Sequence, residues 1–378
     1  MKIVFYTDQI FRHGGLERVL TNKLNYLSIN TDFELHVITF QQENNMPCYP
    51  VLGNVTFHDL KINYDRALSF LNPSNIKNAP KHFIRLKKKI KEIKPDIVIV
   101  CNYEYGYYFI PLVAKSSMKI KEYHSSRHFD FEDRKNNKSF IKKLTYQLSD
   151  YFEKKYDYLV LLTKDELQYY KSKNKLVIPN AYTNLTISSS LKTNNKIVIA
   201  AGRIAPVKGF EKLVLAWEIV NKEFSDWTLE IYGDGELKYI KNLDELIRNL
   251  NLNNSIILND STSELEQKLL NSSIYAMTSE TECFPMVLLE AMSCGIPIVS
   301  FDCPNGPRNI INNYEDGILV DNNNINELAS AIIFLISNPE KRITMGETAK
   351  INVQKFSQEK IMKLWLELFE NRNKFNLK

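Results

Sequence analysis

Short apolar runs alternate with amphipathic stretches along most of the chain. In the first half the apolar runs cover residues 2–7, 33–39, 96–101, 119–124 and 158–162, and in the second half residues 196–201, 227–232, 255–258, 273–277, 296–301 and 317–320. Each run has the length of a buried strand, and helical patterns lie between several of them. Strands that alternate with helices pair in parallel, so the pattern predicts an α/β protein with doubly wound sheets.

A polar segment divides this alternation in two. Residues 181–195 lack periodic apolar positions and end where a new strand begins, which predicts a linker. With 378 residues the chain exceeds the ~100–200 residues of one domain. We therefore predict domains over residues 1–180 and 196–359, and an amphipathic helix over residues 359–375 that packs outside its own domain.

The second half places two carboxylates around one apolar helix. Pro285 fits a first helical position and Gly295 ends the helix, which is predicted over residues 285–293. Glu282 precedes the free N–H groups of this helix, and Glu290 lies within it. The helix terminus suits a phosphate and the carboxylates suit sugar or ribose hydroxyls, which together point to a nucleotide sugar. The alternative is a buried helix in which Glu290 is an ordinary polar position.

Two cations follow the predicted strand at residues 196–201. Arg203 and Lys208 lie on a loop that opens into a helix. Ligands of open α/β sheets bind at the carboxyl edge of the strands, where an Arg fork and a Lys charge suit a diphosphate. The alternative is a pair of ordinary surface charges around a turn.

Glycines occupy the corresponding turn of the first half. Gly14 and Gly15 follow the first strand, and residues without Cβ let a phosphate approach backbone N–H groups. The turn matches neither the dinucleotide fingerprint Gly-x-Gly-x-x-Gly nor the loop Gly-x4-Gly-Lys-Ser/Thr, which weakens the dehydrogenase and kinase hypotheses. Gly233 lies in another turn at a strand end, and His124 is expected to end a strand on the ligand side. The alternative for Gly233 is an ordinary tight turn, and the alternative for His124 is a core or loop histidine whose hydrogen bonds are satisfied within the protein.

The net charge of +5 hides an uneven division. Residues 1–180 hold 29 Lys and Arg against 19 Asp and Glu, whereas the remaining residues hold 20 against 25. Basic residues concentrate at 81–94 and at 134–155, where apolar and aromatic residues interleave with the second group. Anionic lipid headgroups or an acceptor pyrophosphate could dock there. The alternative is a solvated helix face.

What the sequence lacks disfavours other classes of protein. The five cysteines are odd in number and contain no Cys-x-x-Cys pair, which indicates neither a disulfide framework nor a zinc site. No secretory leader and no apolar run of about 18 residues is present, so we expect a cytosolic protein. Asp-x-Asp does not occur, and we expect no metal, because Arg203, Lys208 and a helix terminus can take over its electrostatic role. We expect neither a cofactor nor a nucleic-acid partner.

Seven segments, taken in order, resemble glycosyltransferase family 4, the large group of retaining GT-B enzymes. They are GGLERV, IPNAY, AAGRIAPVKGF, IYGDGEL, the Glu282-x7-Glu290 block with EAMSCGIPIV, GPRNII and DGILV. Single segments are weak signals, but seven in the correct order are specific, and they span nearly the whole chain. The resemblance implies two Rossmann-like parallel-sheet domains that face each other across a cleft. It also implies that the C-terminal helix, about residues 360–378, packs back onto the first domain.

The resemblance further implies roles for individual residues. The expected donor-binding residues lie at strand ends and at the start of the second-half helix: Gly14, Gly15, Arg203, Lys208, Gly233, Asn259, Glu282, Phe284, Pro285, Met286, Val287 and Glu290. The expected catalytic residues are Glu282, His124, Arg203 and Lys208. Among them the two cations would neutralise the diphosphate, while Glu290 would bind ribose hydroxyls and Glu282 the donor sugar. One segment departs from the family, since Leu258-Asn259-Asp260 replaces a Phe-Leu-Gly type turn and leaves base recognition there open.

The implied activity is transfer of a hexose or N-acetylhexosamine from a UDP-linked sugar to a lipid-linked saccharide acceptor. The resemblance implies retention of configuration by front-face substitution, without a metal, in the synthesis of surface polysaccharide, lipooligosaccharide or another glycan. It also allows peripheral contact of the basic first domain with the cytoplasmic face of an anionic membrane. The alternatives are a catalytically inactive nucleotide-sugar-binding partner of another glycosyltransferase, and an epimerase or phosphorylase on the same fold.

Overall fold

The computed structural model describes residues 1–69, 72–102, 104–137, 139–182 and 195–370. The chain forms two compact units. Unit 1 comprises Met1–Ala181 and Gln358–Lys378, and unit 2 comprises Tyr182–Ser357. Residues 183–194 of the predicted linker and residues 371–378 of the predicted terminal helix lie outside the described residues.

Among the described residues, unit 1 contains a parallel sheet of seven strands. They are β1 (Lys2–Tyr6), β2 (Glu34–Thr39), β3 (Val55–Asp59), β4 (Ile97–Val100), β5 (Met118–Glu122), β6 (Tyr158–Leu161) and β7 (Lys175–Val177). Their order is β3-β2-β1-β4-β5-β6-β7. In the register of β1, Ile3 lies opposite both Leu35 on β2 and Ile97 on β4. Continuous apolar runs such as β1 and β4 are buried because helices cover both faces of a parallel sheet.

Helices flank this sheet between its strands. They are α1 (Gly15–Asn30), α2 (Pro73–Ile76), α3 (Ala79–Ile93), α4 (Tyr105–Val113), α5 (His128–Asn136) and α6 (Phe140–Glu153). Helix α3 buries His82, Leu86, Ile90 and Ile93, which recur every three or four positions. Most of its lysines face solvent, so the first basic segment is a solvated helix face.

Unit 2 repeats the architecture with six described strands. They are β8 (Ile197–Ala201), β9 (Thr228–Tyr232), β10 (Ile256–Asn259), β11 (Ile274–Met277), β12 (Ile298–Phe301) and β13 (Gly317–Val320). The helices are α7 (Phe210–Glu223), α8 (Leu237–Asn249), α9 (Leu265–Leu270), α10 (Met286–Ser293), α11 (Ile325–Ser337) and α12 (Pro339–Asn352). All strands are parallel, in the order β10-β9-β8-β11-β12-β13.

Each unit reverses its strand order between its first and its fourth strand. This switch point lies between β1 and β4 in unit 1 and between β8 and β11 in unit 2. The loops that leave these neighbouring strands diverge to opposite faces of the sheet and open a crevice at its carboxyl edge. The functional residues of each unit are therefore expected in those loops.

The final described helix, α13 (Gln358–Glu370), belongs to unit 1. Its Gln358 Nε2 donates a hydrogen bond of 3.0 Å to the backbone oxygen of Asn22 on α1. The Lys23 ammonium lies 3.7 Å from the ring centroid of Trp365, a cation–π contact. None of the described helices combines the length and the apolar character needed to cross a bilayer.

The predicted strands are all present, with ends within two residues of those predicted. Strands β3 and β7 were not predicted. The predicted end of one strand is wrong and changes the position of a candidate site residue. Strand β5 stops at Glu122, and His124 lies in the following loop. The helix predicted over residues 285–293 is α10, with Pro285 as its N-cap and Gly295 in the left-handed region at φ 76° beyond its end.

Candidate functional site

The switch point of unit 2 is built from the loops after β8 and β11. They are joined by a hydrogen bond of 2.9 Å from the Glu280 N–H to the Val207 oxygen. The Thr278 hydroxyl donates to the Lys208 backbone oxygen at 3.0 Å. Gly209 has φ 61°, and a Cβ there would lie 2.4 Å from the Thr278 oxygen. Glycine is therefore required where these loops meet.

Lys208 and Glu282 form an ion pair at this point. Lys208 Nζ lies 2.6 Å from Glu282 Oε1, and Ser279 Oγ donates to the same oxygen at 2.7 Å. The side chains of Lys208 and Glu282 remain 23% and 14% exposed. Both charged groups are therefore partly accessible, and a ligand could reach either of them. Ser279 was not predicted, although it stands three residues before Glu282.

The backbone of Glu282 is fixed by the loop after β12. Its N–H donates to Pro304 at 2.8 Å, and its oxygen accepts from Asn305 at 2.8 Å and from Gly306 at 3.0 Å. A Cβ on Gly306 would lie 2.6 Å from Pro285 Cδ, so this loop is packed tightly against the start of α10. The Glu282 carboxylate is therefore carried by a backbone with three hydrogen bonds.

Helix α10 begins directly after the loop that follows β11 and carries Glu282. Its N-cap, Pro285, provides no side-chain hydrogen bond to the first turn, and Met286 and Val287 are partly exposed. Phe284, predicted as a donor contact, has a buried ring that packs edge-on against Phe356 with 5.2 Å between centroids. The Phe284 ring is therefore taken up by packing within unit 2.

Tyr275 on β11 fixes a strand end beside the candidate site, and the sequence did not reveal it. Its hydroxyl donates to the Ala201 oxygen at 3.1 Å and accepts from the Ala201 N–H at 3.3 Å, at the end of β8. Burial, with the charges of Glu282 and Glu290, raises the pKa of Tyr275 above its ordinary value. The carboxylates of Glu282 and of half-buried Glu290 on α10 therefore both lie near enough to Tyr275 to affect its pKa. The available signal was a single tyrosine within an aliphatic strand.

The remaining predicted residues of unit 2 lie on the same edge. Arg203 is exposed, and its guanidinium has no ion-pair or hydrogen-bond partner among the described residues. The Gly233 N–H donates to the Asn259 oxygen at 3.1 Å, and a Cβ on Gly233 would lie 1.9 Å from the Gly202 oxygen. Gly233 is therefore required by the packing of two strand ends, whether or not a ligand binds there.

In unit 1 the predicted glycine turn leads into α1. Gly14 is the N-cap, and a Cβ there would lie 2.3 Å from Glu17 Oε2. Gly15 is exposed, and a Cβ there would meet no atom within 4 Å. The internal packing of unit 1 therefore does not require glycine at residue 15.

His124 belongs to a charged cluster in unit 1. Its Nε2 lies 3.5 Å from Glu122 Oε1, and Lys23 Nζ lies 2.6 Å from the same oxygen. The side chains of Lys23 and Glu122 are only 4% and 3% exposed. Burial alone would raise the pKa of Glu122, but the charges of Lys23 and His124 hold it well below its usual range. No motif indicated Lys23 or Glu122.

Glu122 and His124 also lie near Cys101. Ligand-type atoms of these three residues are within 4.8 Å of one another, the one such group among the described residues. Burial raises the pKa of Cys101 to about 12, which keeps the thiol protonated. Because the Glu122 carboxylate is already paired with Lys23, the arrangement fits an ion-paired cluster better than a metal site.

Comparisons with known proteins identify relatives across the chain. Residues 183–352 match the family model for glycosyl transferases group 1. An uncharacterized glycosyltransferase of Haemophilus influenzae is 30% identical over 370 residues, which cover 96% of this chain and 98% of that protein. The amylovoran biosynthesis glycosyltransferase AmsD of Erwinia amylovora is 27% identical over an alignment of 379 residues, covering 97% and 99% of the two chains.

A solved structure has the same fold. Anabaena HepE in complex with UDP-glucose superposes with a TM-score of 0.74 over 98% of this chain and 100% of that one, at 20% identity. At this identity the likeness concerns the fold alone. The predicted GT-B fold, with two Rossmann-like parallel sheets, is confirmed.

Proposed function

The chain belongs to the family of glycosyl transferases group 1, and we propose that it is a retaining family 4 enzyme that uses a UDP-linked hexose or N-acetylhexosamine. The central observation is the Lys208–Glu282 pair, with 2.6 Å between Nζ and Oε1, at the carboxyl edge of unit 2. A cation and a carboxylate in contact suit a ligand that carries a diphosphate beside sugar hydroxyls. When the donor binds, Lys208 and Glu282 would give up their contact with each other and would each bind the donor instead.

The diphosphate would be held by Lys208 and Arg203. Arg203 has no competing partner among the described residues, and its planar guanidinium can bind two phosphate oxygens at once. The start of α10 adds backbone N–H groups that no side chain caps. Glu282 would accept hydrogen bonds from the donor sugar, and Glu290 from the ribose. The UDP moiety is supported by HepE, whose solved complex contains UDP-glucose.

The reaction that we propose keeps the configuration of the sugar. The bond between the anomeric carbon and the diphosphate oxygen breaks, and the acceptor oxygen forms its bond on the same face. The acceptor proton passes to the departing phosphate oxygen, while Lys208 and Arg203 stabilise the negative charge that grows on the diphosphate. These cations make metal-independent transfer chemically feasible.

The acceptor that we propose is a lipid-linked saccharide. The transfer would belong to the synthesis of surface polysaccharide, lipooligosaccharide or another glycan. The relative AmsD acts in amylovoran biosynthesis, which supports a polysaccharide product. For unit 1 we propose that His124, oriented by Glu122, and Gly15 are needed for turnover. His124 would act toward the sugar and Gly15 toward a phosphate.

A donor screen followed by turnover measurements tests the proposal. Thermal shifts with UDP-, GDP- and ADP-sugars identify the donor, and nucleotide release is then measured with and without lipid extracts as acceptor. We expect Lys208→Ala and Glu290→Ala to lose donor turnover while thermal unfolding stays cooperative. Lys212→Ala is the matched control, because Lys212 pairs with Glu280 at 2.9 Å in the same two segments and has no proposed donor contact.

The outcomes separate the competing functions. Acceptor-dependent release of UDP supports the transferase. A donor that binds without release in any extract indicates an inactive binding subunit, and acceptor-independent conversion of the sugar indicates an epimerase. Full activity of Lys208→Ala or Glu290→Ala would contradict the site assignment.

A further inference from the structure

Lys23 is a lysine on the buried face of α1. Val19 and Leu27 lie four positions before and after it, and all three are buried, so Lys23 belongs to the stripe that faces the core. Its side chain is only 4% exposed. Lysine is almost never buried to this degree unless it is paired. A charge at this position therefore needs a partner inside unit 1.

The partner is the Glu122 carboxylate at the end of β5. Lys23 Nζ donates to Glu122 Oε1 at 2.6 Å, and His124 Nε2 lies 3.5 Å from the same oxygen. Among the described residues, Lys23 and His124 are the side chains that pair with this carboxylate. The buried Lys121 ammonium instead donates to the backbone oxygens of Val100 and Glu122, at 3.1 and 2.7 Å. One carboxylate oxygen thus joins Lys23 to His124.

Lys23 keeps the Glu122 carboxylate ionised. Burial alone would raise the pKa of Glu122, but the charges of Lys23 and His124 hold it well below its usual range. The nearby Cys101 thiol carries no charge, because burial raises its pKa to about 12. Burial also lowers the pKa of Lys121 to about 8. An ionised carboxylate only accepts hydrogen bonds, so it fixes a proton on the His124 Nε2 that faces it.

The C-terminal helix holds the Lys23 ammonium beside this carboxylate. Lys23 Nζ lies 3.7 Å from the ring centroid of Trp365 on α13, and Trp365 is 2% exposed. A cation over an indole ring is stabilised most where both groups are desolvated. The cavity beside them, also lined by Asn180 and Met362, has a volume of about 20 Å³, which is room for about one water molecule. Bulk solvent therefore cannot take the place of the ammonium.

We propose that Lys23 and Trp365 are positioning residues, which act through Glu122 to fix the proton and the orientation of the His124 imidazole. The inference rests on the proposed function, in which His124 acts toward the sugar. It gives the C-terminal helix a part in turnover, beyond its packing on α1. The competing explanation is an ion pair that serves only the stability of unit 1.

Nitrogen-15 NMR of the histidine rings tests the proposal without any substrate. The variant His124→Gln identifies the resonances of His124 among those of the six histidines. Lys23→Met leaves a buried carboxylate without its cation, so the Glu122–His124 pair should take up a proton from solvent near pH 7 and the His124 nitrogen shifts should change. Unchanged His124 shifts in folded Lys23→Met protein would overturn the proposal.

Two variants of α13 test the contribution of the C-terminal helix. Trp365→Leu removes the ring beneath the ammonium and should change the His124 nitrogen shifts in the same direction, by a smaller amount. Met362→Ala is the matched control, because Met362 lines the same cavity and is equally buried but has no charged group to hold. It should leave the shifts as in the wild type. Shifts that respond equally to both variants would remove Trp365 from the proposal.

Turnover separates a positioning role from a stabilising one. Lys23→Met should lower kcat by about tenfold or more while KM stays nearly unchanged. Lys23→Met/Glu122→Met removes both buried charges, so its thermal stability should return to near that of the wild type. Its kcat should remain low, because methionine cannot accept a hydrogen bond from His124 as a carboxylate does. A stable double variant with wild-type kcat would show that the pair is only structural.

Failure of the proposed function gives a different result. A His124→Gln enzyme with wild-type turnover would overturn the proposed role of His124, and with it the part of Lys23 in turnover. Unchanged His124 shifts in the Lys23→Met variant of a fully active enzyme would overturn the present inference alone.

Discussion

The two units share one strand order but place different chemistry at their switch points. In unit 2, Arg203 and Lys208 follow the first strand. In unit 1, Asp8 follows the first strand and Glu104 the fourth, and Asp8 pairs with Arg66 at 3.3 Å. Burial, aided by the charge of Asp8, raises the pKa of Glu104 to about 8. The fold fixes where a ligand can sit, and a few loop residues decide whether that place favours an anion or carries carboxylates.

Two lysine–glutamate pairs, one in each unit, differ in burial. In Lys208–Glu282 and in Lys23–Glu122 the charged atoms are 2.6 Å apart. The pair of unit 2 is partly exposed, whereas both side chains of the Lys23–Glu122 pair are almost fully buried. Removal of one partner from a buried pair leaves an uncompensated charge, but a ligand can replace a partner in an exposed pair. The distance within a pair therefore does not tell a binding pair from a structural one.

A charge swap at the first pair should give the largest effect. Lys208→Glu with Glu282→Lys keeps a cation and a carboxylate in contact, so the melting temperature should stay near that of the wild type. Turnover should fall by more than about 10³-fold, because the swap removes a cation and also sets a carboxylate against the diphosphate. The same swap at Lys212 and Glu280 is the control and should retain turnover. Swapped enzyme with wild-type turnover would show that the pair is only structural.

Glu104→Gln should change how stability depends on pH. The folded state holds the Glu104 proton up to a pKa of about 8, whereas the unfolded chain releases it near the ordinary glutamate pKa of 4.5. Wild-type stability should therefore fall as pH rises from about 5 to about 8, and the variant should lack this fall. At about pH 8 the free energy of unfolding of the variant should exceed that of the wild type by roughly 3 kcal/mol. Denaturant unfolding at several pH values measures it.

Glu92→Gln is the control for this experiment. Glu92 is exposed on α3, and its hydrogen bond to Lys89 lowers its pKa, so it does not titrate between pH 5 and 8. Parallel stability profiles for the wild type and Glu104→Gln across this range would mean that Glu104 ionises normally in the folded protein.

The sequence was sufficient for the strands that lie within the cores. Apolar runs such as β4 and β11 are buried along their whole length, so their pattern is plain. Strand β3 lies at an edge of the sheet, and two of its five residues are exposed, so its sequence does not show a continuous apolar run. Strand β7 has three residues, which is too few for a periodic pattern.

The candidate site was predictable residue by residue but not as a set of contacts. Lys208 and Glu282 were each predicted, yet 74 positions separate them, and only the strand order brings their loops together. Tyr275 was missed because its role depends on the register of β11 against β8. The altered pKa of Glu104 was missed because it depends on burial, which no short motif encodes.

Gly15→Ala asks whether the glycine turn of unit 1 approaches a ligand. The new Cβ would meet no atom of the protein within 4 Å, and alanine favours a helix over glycine. Stability should therefore be unchanged or slightly higher. If a phosphate lies against this turn, turnover should fall by about tenfold, since one lost hydrogen bond to a charged group costs ~1.5 kcal/mol or more. Unchanged turnover would remove Gly15 from the site and leave donor binding to unit 2.

Tyr275→Phe should give the smallest effect and tests a contact that unit 2 alone makes. The strand pairing places Val98 of unit 1 at the position that corresponds to Tyr275, so unit 1 has no hydroxyl there. Loss of the two hydrogen bonds to Ala201 should cost ~1 kcal/mol in the free energy of unfolding, with little change in turnover. Tyr232→Phe, which removes a hydrogen bond to partly exposed Glu230, should lower the free energy of unfolding by less than Tyr275→Phe does. A Tyr275→Phe protein as stable as the wild type would show that β8 keeps its end without this hydroxyl, as β1 does.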